Sequence, residues 1–210
     1  MSTHCRDSTA NYLEFNTMTT LADSVRETLI SILIFIGLLW ATFLLSWLIP
    51  SLSEFGLQPR TAKGLIGIGT MPFLHANLGH IVANTIPLLV LLFLLAGSRA
   101  QSWAIVIEIV VLAGVLLWVF GRKANHIGAS GLVFGLISFL IFAGLFERRF
   151  VSIAVALVTL VLYGASLLWG VLPVQQGVSW DGHLCGAIAG GLLAFQVARG
   201  NSKSKELKPA

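Results

Sequence analysis

Six apolar runs, at about residues 29–50, 81–97, 103–120, 129–146, 150–170 and 183–198, constrain this chain more than any other feature. Each is close to the ~20 residues that a helix needs to cross a ~30 Å hydrocarbon core. Of the 210 residues 56% are hydrophobic and 10% charged, and the mean hydropathy is +0.88, so most of the chain belongs in a solvent that does not penalise apolar surface. That solvent is lipid. The expected fold is an all-α membrane protein, a bundle of six transmembrane helices.

The runs divide the chain into a short tail (1–28), a transmembrane domain (29–198) and a basic tail (199–210). The first run follows a largely polar stretch without a small-residue cleavage site, so it reads as a retained span and not a signal peptide. Ser24-x-x-Glu27 matches a capping box that would start the first helix. With six spans, nine Lys/Arg fall on the side of the tails and the second and fourth loops, among them Arg99, Arg148, Arg149 and Arg199, against four (Arg60, Lys63, Arg122, Lys123) on the other. The positive-inside rule then places both termini in the cytoplasm. The net charge of +4 follows from this topology, and no dense basic patch interleaved with aromatics marks a nucleic-acid partner. Cys5 and Cys185 lie on opposite sides of the membrane in this reading, so no disulfide is expected.

Polar groups inside a span are functional candidates, because burying one unpaired costs roughly 2.5–3.5 kcal/mol. Here they are His80 and Asn84 in the second span, Glu108 in the third, Ser130 at the start of the fourth and His183 at the start of the sixth. The second, fourth and sixth spans all enter from the outer face. His80, Asn84, Ser130 and His183 are therefore expected at one level, close to that face. Gly128-Ala129-Ser130-Gly131 is weak as a motif, since a Gly-x-Ser-Gly match arises by chance ~0.16 times in a chain of this composition. Its position says more: a serine at a helix start sits beside unpaired N–H groups able to hold an oxyanion, and a serine hydroxyl needs a base, which His183 supplies. His183, Gly186 and Gly190 share one helix face, as do Gly131 and Gly135, so small residues allow the fourth and sixth spans a close approach. His80 and Asn84, four residues apart, share a face as oxyanion donors or, alternatively, as bridges tying the first outer loop to the bundle.

Pro59-Arg60-Thr61, Gly64-Leu65 and Phe73-Leu74-His75-x4-His80-x3-Asn84, followed by Gly128-Ala129-Ser130-Gly131 and His183-x2-Gly186-x3-Gly190, resemble in order and spacing the rhomboid family of intramembrane serine proteases. The resemblance implies Ser130 as nucleophile and His183 as base in a dyad without an acid. It also implies an oxyanion hole of His80, Asn84 and the Ser130 amide, in a rhomboid-like bundle of the minimal six-span bacterial type. Phe134 falls where relatives often carry a tyrosine against the catalytic ring.

The expected activity is hydrolysis of a peptide bond near the outer end of a transmembrane substrate, through an acyl-enzyme at Ser130, in the cell membrane and with the site open to the extracytoplasmic side. The expected partners are transmembrane protein substrates and lipids; no metal or cofactor is implied, and the oligomeric state is left open. The first outer loop (51–79) is expected partly in the interface, and the loop at 171–182, with Gly170 and Gly177 as hinges, is the expected lid. Asp181 is not assigned as a triad acid, nor Cys185 as a nucleophile; His75 and Asn77 read as loop-fixing, His126 as solvated or bracing, and Glu108 as snorkelling or bonded within the bundle. The competing reading is a catalytically silent relative that binds membrane segments. A transporter would carry its polar groups at the midplane, and a metalloprotease would need a His-Glu-x-x-His signature, which is not present.

Overall fold

The computed structural model describes residues 4–99, 101–174 and 177–206, with side chains from 23 to 201 in those stretches. Seven α-helices follow in order: α1 (His4–Leu48), a single turn α2 (Gly67–Thr70), α3 (Leu78–Ser98), α4 (Ser102–Phe120), α5 (Ser130–Glu147), α6 (Phe150–Gly170) and α7 (Trp180–Glu206). Among the described residues the one extended pairing is an isolated bridge between Leu57 and His126. The expected helix start at Ser24 is not found. α1 runs straight through it, with neither Gly nor Pro between residues 4 and 36 to end a helix, and without a break a capping box has no end to cap. Cys5 and Arg6 fall where no side chain is described.

All six apolar runs lie on helices, and α1, α3, α4, α5 and α6 are long and apolar enough to cross a membrane. α7 is not among those five. Asp181, His183, Gln196, Arg199 and its glycines dilute its hydropathy, as suits a helix packed inside the bundle.

The bundle is organised around α5. Two thirds (67%) of its apolar window is buried, against 11% for α6, and every residue from Gly131 to Leu140 is buried. α5 packs most extensively on α7, and α6 packs on α5 and little else. The expected glycine seam is where the α5–α7 contact is closest: a methyl at Gly186 would overlap the Gly131 carbonyl, and one at Gly190 the Gly135 carbonyl. α1 rests on its neighbours through two tryptophans, with Trp40 Nε1 donating to Thr85 Oγ1 (3.1 Å) and Trp103 Nε1 to Ser31 Oγ (3.0 Å).

The loop between α1 and α3 is not free chain. Leu57 and His126 exchange both backbone hydrogen bonds (2.9 Å each), and the Arg60 guanidinium donates to the Val119 and Gly121 carbonyls (2.8 and 2.9 Å), which lie where α4 runs out of backbone donors. At the other end of the bundle Arg99, read from sequence as a loop cation, is buried in a two-pronged ion pair with Glu147 (2.6 and 2.9 Å), and Glu147 also accepts from Ser152 Oγ (2.7 Å). This cluster joins the end of α3, the end of α5 and the start of α6. Glu108 is exposed on α4 among Ile107, Val111 and Val115, and among the described residues it has no ion-pair or hydrogen-bond partner, which removes the reading that it is bonded within the bundle.

Candidate active site

Ser130 is the first residue of α5, and the Ala129 ahead of it supplies no side-chain cap. The first bond of the turn runs from Val133 N–H to Ala129 C=O (3.0 Å), so the N–H groups of Ser130, Gly131 and Leu132 precede the hydrogen-bond ladder and remain available. The chain reaches Ser130 through Gly128, whose φ of +116° disfavours any side chain. A Cβ at Gly128 would also lie 2.5 Å from His80 Nε2, so glycine is what lets this connection pass against the His80 ring. Gly128 N–H donates to Met71 C=O (2.9 Å), fixing the approach from the other side.

His80 and Asn84 stand on successive turns of α3. Asn77 caps that helix by accepting from His80 N–H (2.9 Å). Asn84 is buried, and its Nδ2 donates to His80 C=O (3.1 Å); one amide hydrogen is so used and the second remains. His75 is buried behind His80, with ring centroids 5.1 Å apart. Among the described residues its Nε2 has no hydrogen-bond partner. Burial and the neighbouring His80 together lower its pKa to about 4, against the opposing pull of the Phe73 carbonyl.

His183 lies in the first turn of α7, stacked face to face on Phe134 (4.0 Å between centroids, 7° between planes), so phenylalanine alone supplies the stacking surface. His183 Nδ1 is 2.9 Å from Gly170 C=O. A carbonyl only accepts, so Nδ1 carries the hydrogen, and in the neutral ring Nε2 is bare and basic. Among the described residues no hydrogen bond joins Ser130 to His183.

Asp181 and His126 are braces. The Asp181 carboxylate accepts from Arg122 N–H (2.8 Å), the Arg122 guanidinium (3.1 Å) and Ser179 Oγ (3.2 Å). Burial pushes this carboxyl up, but the two Arg122 bonds and the nearby His126 outweigh it and hold the pKa at about 2. The buried His126 ring bonds Ser179 Oγ (2.7 Å) and Arg122 C=O (3.1 Å). The connection between α4 and α5, which delivers Ser130, is thereby clamped to the start of α7, which carries His183. Cys185 is buried against Leu57, Met71 and Leu117, on a different packing face.

Ser130, His183, His80 and Asn84 all line one cavity of about 700 Å³. It runs from Arg122, Asn125 and Ser179 at the loop end to Pro87 and Ile137, about two turns into α3 and α5. Tyr163 and Ser166 of α6 also line it. The sequence reading did not single these two out, although a polar pair three residues apart in an otherwise apolar run, with Tyr163 one of only two tyrosines in the chain, is a signal that was there to use. Gln175 and Gln176 of the expected lid lie outside the described residues.

The fold and this cavity define a multi-pass integral membrane protein with a polar site sunk among its helices. Residues 62–200 match the Rhomboid domain, and the chain belongs to the rhomboid family. It is 44% identical over 192 residues to an uncharacterized protein of Mycobacterium tuberculosis (strain ATCC 25618 / H37Rv), covering 86% of this chain and 79% of that one. It is 41% identical over 192 residues to an uncharacterized protein of Mycobacterium leprae (strain TN), covering 86% and 76%. To a putative rhomboid protein of Acanthamoeba polyphaga mimivirus it is 33% identical over 140 residues, covering 62% of this chain and 74% of the viral protein.

Proposed function

We propose that this rhomboid-family chain is an intramembrane serine endopeptidase that cuts transmembrane segments of other proteins near the outer face. The observation that carries the reading is the shared cavity: Ser130 at an uncapped helix start and His183, with a bare Nε2, line the same polar space. In the acylation step His183 Nε2 takes the Ser130 Oγ proton as Oγ bonds to the scissile carbonyl carbon. The developing oxyanion is held by the Ser130 N–H, the free Asn84 amide hydrogen and His80, each such donor contributing roughly 2.7–4 kcal/mol to the transition state. His183 then returns the proton to the leaving amine, and water, activated in the same way, cleaves the acyl-enzyme.

In this reading α7 is the sixth span, both termini are cytoplasmic and the site opens to the extracytoplasmic side of the cell membrane. Water arrives through the loop end of the cavity, the substrate is a segment unwound from its helix, and no cofactor takes part. A catalytically silent membrane-segment binder is the second reading, favoured by the missing Ser130–His183 hydrogen bond; such bonds are often long in a free enzyme and tighten when substrate binds. The test sets the wild type beside Ser130→Ala and His183→Ala on a panel of single-span substrates, with labelling by a serine-directed phosphonate. Cleavage and labelling only by the wild type are expected. Equal processing by all three variants sinks the protease reading, and binding without cleavage by all three selects the silent one.

A further inference from the structure

We propose that the Gly170 carbonyl, at the C-terminal end of α6, is the group that orients the His183 base, so that the seating of α6 decides whether the base is armed. The inference rests on the protease reading of Ser130 and His183. A histidine base needs a third group to fix its tautomer and ring angle, a task given to a carboxylate in the Ser-His-Asp arrangement. The acid nearest in sequence, Asp181, is occupied by Arg122 and Ser179, and what His183 Nδ1 meets is Gly170 C=O at 2.9 Å. This carbonyl is well placed for the role. Gly170 is the last residue of α6, where carbonyls have no helical donor left and the negative end of the helix dipole favours a ring that gains positive charge.

The same residue is glycine for a steric reason. A methyl at Gly170 would run into Phe134 Cζ, lie 2.6 Å from Phe134 Cε1 and stand 3.4 Å from His183 Nδ1. Three helices thus stack at one point: α6 by its last backbone carbonyl, α5 by the Phe134 ring and α7 by the imidazole. Gly170, expected as a lid hinge, is here a close-approach residue. Gly177 has a φ of +77°, in the region that favours glycine, and a Cβ built there meets no described atom within 4 Å.

α6 is also the helix able to move. It is the least buried of the five apolar helices. Its start is held through Ser152 to the Arg99–Glu147 pair, whereas its far end carries the Gly170 bond to the base. A swing of that end away from α5 removes the acceptor from Nδ1, and with it the constraint that keeps Nε2 bare. Gly170 is therefore a positioning residue acting through His183, and opening along α6 and disarming of the dyad become one event.

The test uses the full chain in lipid nanodiscs, with 15N-labelled histidine and the His183 ring assigned against His183→Gln. Three substitutions, Gly170→Ala, Phe134→Leu and the double variant, are joined by backbone exchange of Val171 for its α-hydroxy acid, which turns the Gly170 carbonyl into a weaker ester acceptor without added bulk. The same exchange at Leu172, whose N–H serves Trp169 C=O, is the control. The wild-type ring is expected with hydrogen on Nδ1. Gly170→Ala is expected to lose that signature and at least tenfold in kcat with KM within twofold, and the double variant to regain the tautomer and the kcat of Phe134→Leu alone. The Val171 ester should cost roughly fivefold in kcat, the equivalent of about 1 kcal/mol of hydrogen bond, with the Leu172 ester at wild-type level. A wild-type tautomer in Gly170→Ala, or equal kcat in the two esters, overturns the proposal; should Gly170→Ala not fold, the ester pair decides it. A wild type that neither cleaves nor takes the phosphonate defeats the protease reading instead, while the tautomer comparison still reports on the Gly170 bond.

Discussion

Gly186→Ala places one methyl group in the tight seam between the helices that carry the proposed nucleophile and base, Ser130 and His183. On the wild-type backbone that methyl would overlap Gly131 O and stand 2.9 Å from Gly131 C and 3.2 Å from Gly131 Cα, where carbon atoms settle at about 3.5–4.0 Å. α5 and α7 must therefore part by roughly 1 Å at this level. Overpacking of this kind costs ~1–3 kcal/mol of stability. Function is more exposed than stability, because Gly131 follows Ser130 directly and Gly186 lies one turn beyond His183, so the parting is transmitted to the distance between the proposed nucleophile and base. A misplacement of about 1 Å typically costs ~10²-fold in rate. Gly191→Ala is the matched control: its methyl meets Phe142 Cδ2 and Ser138 Oγ at 3.5 Å, an ordinary contact. The assay is steady-state cleavage of a single-span reporter, with thermal unfolding to confirm folding. Gly186→Ala is expected to lose ~10²-fold in kcat while remaining folded, and Gly191→Ala to stay within about threefold of wild type. Wild-type turnover by folded Gly186→Ala would refute the claim that the glycine seam sets the dyad distance.

Two titrations predict how stability responds to acid. The His75 pKa is lowered in the fold from 6.5 to about 4, so its contribution is complete above pH 6.5 and lost as pH falls toward 4; thermal unfolding across this window should decline in the wild type and flatten in His75→Gln. Asp181 is lowered from 3.8 to about 2, so its contribution is present above pH 3.8 and lost between there and 2; Asp181→Asn should remove this acid step and, by releasing the Arg122 connection, lower kcat at neutral pH. Arg99→Met leaves Glu147 buried with only the Ser152 hydroxyl and is expected to destabilise by ~3–5 kcal/mol, most of it recovered in Arg99→Met/Glu147→Leu; a double variant no more stable than the single, by denaturant unfolding, would count against the unpaired buried carboxylate as the source of the loss. Glu108→Leu removes an exposed carboxylate that has no hydrogen-bond or ion-pair partner among the described residues, and turnover should be unchanged.

How far sequence alone reached depends on whether the relevant force acts along one helix or between several. The apolar runs were legible because lipid acts on each segment separately, and all six fall on helices. The faces shared by His183, Gly186 and Gly190 and by Gly131 and Gly135 were legible from spacing alone, and they meet as that spacing implies. Arg99 lies in the loop after α3 as its position implies, but its pairing was not legible, because Glu147 is 48 residues away and no local pattern announces the pair. The close approach at Gly170 was not legible because the collision that demands glycine involves Phe134 and His183, on two other helices. Ser24-x-x-Glu27 failed for the opposite reason: the local pattern is present, but an uninterrupted helix overrides it.

The gathering of the site does not depend on which way the chain is oriented in the membrane. His80, Asn84, Ser130 and His183 share a cavity because α3, α5 and α7 run in the same direction, each separated from the next by one helix running back. Residues near the starts of such helices lie at one level whichever side of the membrane that level faces. The charge bias that orients the chain is thus needed to say where the site opens, but not to assemble it. A reversed orientation would move the proposed cleavage to the other face and leave the Gly170–His183–Phe134 stack, the seam and the Asp181 brace as they are. The chemistry proposed for Ser130 therefore stands or falls on the geometry within the bundle, and the orientation has its own test: with both termini cytoplasmic, an impermeant thiol reagent outside the cell labels a single cysteine placed at Gln58 and spares one placed at Arg149.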